Sequence, residues 1–152
     1  MTPAELTLAA ADAEDLEIIS ARLQDAVGQV KDLVWLPKSR RFAALLNRFK
    51  WEAVERKRGR GDNLRVRAGL YFDDVLSVKS TRLKRGDPDA VLSLLAITFT
   101  PKAPDDPAGT IELVFAGGGA IKLEVECIDA GLTDVSGEWA ALGRPAHKID
   151  ET

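Results

Sequence analysis

The chain holds one cysteine, Cys127, and one histidine, His147, among its 152 residues. A lone cysteine forms no internal disulfide and supplies no thiolate cage for zinc. A Ser-His-Asp or Cys-His nucleophile would have to recruit His147, two places past Pro145 in a segment that reads as a solvated tail. An imidazole there lacks the packing and second hydrogen bond that catalysis needs. Long apolar runs are missing too, and nothing approaches the ~20 residues of a membrane-spanning helix. The opening MTPAELTLAAADAEDLEII has no basic start and carries acids where a secretory leader needs an apolar core. These absences point to a reducing, cytoplasmic setting and to a protein with no cofactor, no metal and no evident catalytic apparatus. There is no internal repeat.

What is present is an ordinary globular composition, 45% hydrophobic and 30% charged. A chain this size fits one domain, residues 1–152, and such a domain buries roughly 68–70% of its unfolded surface. The net charge of −3 hides a strong segregation. Residues 1–37 hold two Lys/Arg against seven Asp/Glu, residues 38–85 fifteen against five, and residues 86–152 four against twelve. A block of +10 thus lies between flanks of −5 and −8. Clustered cations create a local field that total charge conceals.

Asp12 is placed to cap a helix, with Asp15 three residues on and Glu14 and Glu17 in the first turn. Leu16, Ile19, Leu23, Ala26 and Val27 recur at helical spacing and Gly28 supplies a stop, predicting an amphipathic helix over about 13–27. The period then changes to two. QVKDLVWLP, RRFAALLNRFKW, RVRAGLYF and DVLSVKST read as strands, with a turn at PKSR and a bend at Asp73-Asp74. EAVERKRGRGDNLR, RLKRGDPDA and KAPDDPAG read as loops. VLSLLAITF is apolar at alternate and intervening positions, which predicts a central strand covered on both faces.

TIELVFAGGGAIKLEVECI is the clearest hairpin. A loop at 117–119 sets Glu112 opposite Glu124, whereas starting it at Ala116 sets Glu112 opposite Lys122 and keeps the apolar face intact. Facing like charges are destabilising, so the second register is favoured. In either, Cys127 continues the apolar face of Ile121, Leu123 and Val125 and is expected in the core as a small hydrophobe. A short helix is expected at about 136–142, with Trp139 and Leu142 inward, and a mobile tail at 144–152. Strands spanning about 29–128 in hairpin order exclude a parallel doubly wound sheet. The expected fold is α+β and β-rich: about six or seven mostly antiparallel strands, curled into a roll or partial barrel, with an N-terminal helix. A pleckstrin-homology-like barrel is the nearest architectural comparison.

Other motifs carry little chemistry. AGGGA joins two strands, whereas a phosphate-binding glycine loop precedes a helix N-terminus. Asp73-Asp74 could share a proton or a metal only at a bulge, and Asp87/Asp89 and Asp105-Asp106 lie in proline-containing loops without calcium-loop spacing. The basic block is the best candidate site. Arg40, Arg41, Arg48 and Lys50 flank its first hairpin, and Arg56, Lys57, Arg58, Arg60, Arg65, Arg67, Arg82, Lys84 and Arg85 fill the loops and strand start that follow. Phe42, Phe49, Trp51, Tyr71 and Phe72 are interleaved, as in single-strand nucleic-acid binders. A surface neutralised from within is the competing reading, with the acidic flanks lying against the basic block.

AEDLEIISARLQDAV, DLVWLPKSRRFAALLNRF, LYFDDVLSVKS, VLSLLAITF and FAGGGAIKLEVECIDAGLTDV together resemble an uncharacterised, mainly alphaproteobacterial family, the domain of unknown function numbered 2948. The resemblance implies a small bacterial protein and brings no activity, cofactor or catalytic residue. The sequence is therefore read as a non-enzymatic binding or adaptor module that uses the nine cations from Arg56 to Arg85. Two alternatives stand beside it, a nucleic-acid-binding protein and a small-molecule binder or weak enzyme with its pocket in the barrel mouth. An acidic protein and a nucleic acid fit the charge map equally, and the sequence leaves the oligomeric state undetermined.

Overall fold

A computed structural model describes residues 7–49 and 65–135. Ten strands and one α-helix occupy them: β1 (Thr7–Ala10), α1 (Ala13–Arg22), β2 (Val27–Gln29), β3 (Leu33–Leu36), β4 (Arg41–Phe49), β5 (Arg65–Phe72), β6 (Val75–Thr81), β7 (Val91–Pro101), β8 (Gly109–Phe115), β9 (Ala120–Val125) and β10 (Ala130–Asp134). They form one antiparallel sheet in the order β1-β10-β5-β4-β2-β7-β8-β9-β6, with β3 also pairing β4. The path is open, with β1 and β6 at its ends. The expectation of a β-rich, antiparallel fold with an N-terminal helix holds, and the strand count exceeds the expected six or seven. The helix expected at 136–142 and the tail at 144–152 lie outside the described residues.

Asp12 caps α1 as expected, accepting the Asp15 N–H at 2.8 Å. The helix is shorter than its apolar periodicity implies. Leu23 and Ala26 are fully buried, but they follow the helix through a turn in which Asp25 takes φ 67°. Gly28 is no helix stop. It lies within β2, where a Cβ would come 2.7 Å from Leu46 Cδ2, so only glycine lets β2 sit this close to β4. The predicted single strand over 29–37 is divided: β2 ends at Gln29, Val30–Asp32 form a 3-10 turn, and β3 follows.

The strand β7 corrects the expectation of burial on both faces. Leu92, Leu94 and Ile97 are buried, while Val91 and Leu95 are exposed. A bulge between Leu94 and Ala96 resets the alternation, so a sequence apolar at both parities presents a single inward face. Helix α1 meets the bulge, and Ser20 Oγ accepts the Ile97 N–H at 2.9 Å.

The β8–β9 hairpin takes the register that opposes Glu112 to Lys122 and Leu113 to Ile121, and Gly117 and Gly118 turn with φ 90° and 95°. Cys127, however, is not in the core. β9 ends at Val125, and the half-buried Cys127 thiol donates to Asp74 Oδ2 at 3.4 Å. Residues 130–134, beyond the strands expected over about 29–128, form β10, which inserts between β1 and β5.

Candidate functional site

On β4 the residues Phe42, Ala44, Leu46 and Arg48 alternate inward and are buried. Arg48 ends this series fully enclosed. Its Nε and Nη2 meet the two carboxylate oxygens of Asp134 at 2.9 Å each, and Nη1 donates to the Phe49 carbonyl at 2.8 Å. A two-point fork of this kind is the arrangement that makes a buried ion pair tolerable. Arg48 therefore belongs to the interior and not to a partner surface.

The opposite face of β4 and β5 looks outward. Arg41 forks Asp73 with bonds of 2.7 and 3.0 Å, and its guanidinium lies 4.5 Å from the centre of the Tyr71 ring. The hydrogen bond to Asp73 is the main reason that the Arg41 pKa is raised, desolvation working against it. The Tyr71 ring lies over Gly131 of β10, where a Cβ would come within 2.4 Å of ring atoms. Further along this face the Arg65 guanidinium stacks 4.2 Å from the centre of the Phe49 ring. Phe42 and Phe72, by contrast, belong to the core. Lys50 and Trp51 lie outside the described residues.

The basic block thus sorts into two sets. Arg40 pairs with Glu126 at 3.1 Å, Arg41 with Asp73 and Arg48 with Asp134. The second set consists of predicted site residues. Among the described residues, Arg65, Arg67, Arg82, Lys84 and Arg85 form no carboxylate ion pair. Arg65 rests on Phe49, and Arg85 Nη1 reaches only the Ser80 hydroxyl, at 3.2 Å. Arg82 adopts φ 57° and lies against Gly118 of the hairpin turn. The remaining predicted site residues, Arg56, Lys57, Arg58 and Arg60, lie outside the described residues. Arg65 and Arg67 share one face of β5, whereas Arg82, Lys84 and Arg85 follow β6, which is separated from β5 in the strand order.

The carboxylates near the β5–β6 bend are engaged locally. Asp74 takes φ 60°, and Asp129 is pushed above the usual carboxylate range, first by desolvation and then by the charges of Asp73 and Asp74. Burial likewise raises the Cys127 pKa, with Asp74 adding to it, which keeps the thiol protonated and unreactive. Among the described residues no cluster of His, Cys, Asp and Glu is arranged to hold a metal, and no helix is long and apolar enough to cross a membrane.

An open antiparallel sheet with one helix and five described cations lacking carboxylate partners defines a β-rich protein with a charged outer surface. The chain belongs to the family described as "Protein of unknown function (DUF2948)", whose pattern matches residues 6–147. No curated protein matches it.

Proposed function

We propose that the protein is a non-enzymatic binding module that presents cations to an acidic macromolecular partner. One observation carries this reading: among the described residues, ion pairing consumes Arg40, Arg41 and Arg48 but leaves Arg65, Arg67, Arg82, Lys84 and Arg85 without carboxylates. A surface neutralised from within would have engaged both sets. We further propose that the sheet curls into a roll. The Val75 N–H bonds to the Arg40 carbonyl at 3.0 Å, which brings the start of the edge strand β6 back to the turn before β4.

The test is capture from host lysate by the full chain, with and without nuclease, compared with a variant carrying Arg82→Glu, Lys84→Glu and Arg85→Glu. The expected result is a discrete partner retained by the native chain and lost from the variant, with melting temperature unchanged. Equal capture by the two proteins, or unfolding of the variant, would count against the reading. A nucleic-acid partner is the second reading, favoured by the two arginines stacked on rings along one sheet face. It predicts nuclease-sensitive capture and a fall of log affinity with log salt of about 0.7 per phosphate contacted on a single strand.

A further inference from the structure

A second feature lies on the outer surface at β2. This strand is three residues long and meets β4 at a single pair, Val27–Asn47, before the chain leaves in the 3-10 turn. A groove of about 230 Å³ remains there, with Val27, Leu45 and Val91 as its apolar lining and Asp32, Asn47 and Arg67 as its polar lining. Val91 is 66% exposed, an unusual state for a large aliphatic side chain on a central strand.

The polar groups are uncommitted in a specific way. Arg67 Nε is buried and has no hydrogen-bond partner, and a buried donor without an acceptor calls for a water, an ion or a ligand. Asp32 accepts one long bond, from the Gln29 N–H to Oδ2 at 3.3 Å, leaving Oδ1 open. Its neighbour Lys31 pairs instead with Asp89, at 3.2 Å. The Asn47 amide has no partner among the described residues. Arg67 and Asp32 therefore line one groove with opposite charges and, among the described residues, form an ion pair neither with each other nor with any other group.

We propose that this groove binds a small free amino acid with an aliphatic side chain. Its carboxylate would meet the Arg67 fork, its ammonium group Asp32, and its side chain the surface formed by Val27, Leu45 and Val91. Guanidinium binds carboxylate through two parallel N–H donors, and a turn of the Arg67 side chain toward the ligand would give the shielded Nε its acceptor. The volume, below that of drug-sized sites, restricts the ligand to a molecule of amino-acid size. The proposal shares Arg67 with the macromolecular reading, and Asp32, which lies outside the basic block, is the residue that separates the two.

The experiment is a titration of the ¹⁵N-labelled full chain with L-valine, and separately with isovalerate and isobutylamine, each up to about 20 mM, a range that detects weak sites. Saturable shifts of the Gly28, Gln29 and Asn47 amides with valine are expected. Arg67→Gln and Asp32→Asn should each weaken valine binding roughly tenfold or more, as loss of a charge-assisted contact does. Each half-ligand should bind correspondingly more weakly than valine. Arg67→Lys serves in place of Arg67→Gln if the latter unfolds. The proposal is overturned by an absence of saturation, by binding that ignores either substitution, or by a half-ligand that binds as well as valine. Macromolecular capture should be unaffected by Asp32→Asn, which keeps the two readings separable.

Discussion

Arg48 and Asp134 leave water together, each carboxylate oxygen meeting one nitrogen of the guanidinium fork. Breaking a buried pair by deleting one member costs about 3–5 kcal/mol, whereas replacing both members with apolar groups of similar volume is often neutral. Asp134→Ala is therefore expected to lower unfolding free energy by about 3–5 kcal/mol in chemical denaturation. The double change Arg48→Met with Asp134→Leu should recover most of that loss. Additive losses would show that the two side chains act separately. Asp129 gives a pH-dependent counterpart. Its folded pKa is raised above the ordinary 3.8, with desolvation first and the Asp73 and Asp74 charges next among the causes. The folded state therefore holds this proton more tightly than the unfolded chain does. The resulting stabilisation is present below pH 3.8 and is lost as pH rises through the folded value. Asp129→Asn should flatten that part of the stability curve and favour the variant at neutral pH, as measured by denaturant midpoints across the acid range. Asp129 is exposed, so water screens the effect and keeps it small.

At the scale of elements, the β8–β9 hairpin was legible because every constraint on it is local. The Glu112–Lys122 pairing and the apolar alternation lie within one short stretch of chain and select one register. The bulge in β7 was not legible, because the group that accepts its Ile97 N–H is Ser20, 77 residues earlier. Ser20→Ala should cost about 1–3 kcal/mol, the range for a donor left without its acceptor. Restoration by Ser20→Thr would separate the hydroxyl from mere side-chain size. β10 is illegible for a related reason. Gly131 weakens its strand signal, yet its missing Cβ is what admits the Tyr71 ring. Gly131→Ala should displace that ring and disturb the Arg41 stack, visible as a change in Tyr71 fluorescence and a lower melting temperature. Extending the alternation past Val125 puts Cys127 in the core only if β9 continues, whereas the chain turns there toward Asp74.

Over the whole molecule, the charge segregation marks a basic segment without distinguishing its members. Arg40, Arg41 and Arg48 look like their neighbours in sequence, and only the fold brings them Glu126, Asp73 and Asp134, at separations of 86, 32 and 86 residues. The same long-range pairing governs how the sheet is completed. β1 bonds to β10 alone, with Thr7 opposite Thr133. At a ribosomal pace of 5–20 residues per second, Thr7 waits about 6–25 s for its partner to be synthesised. From the completion of β5 until residues 130–134 are made, the nascent chain exposes the edge of β5 that β10 later covers. Folding of this sheet is therefore completed only after translation of residues 130–134, and a stalled or truncated product ending before Ala130 would display an open strand edge for chaperones or proteases to engage.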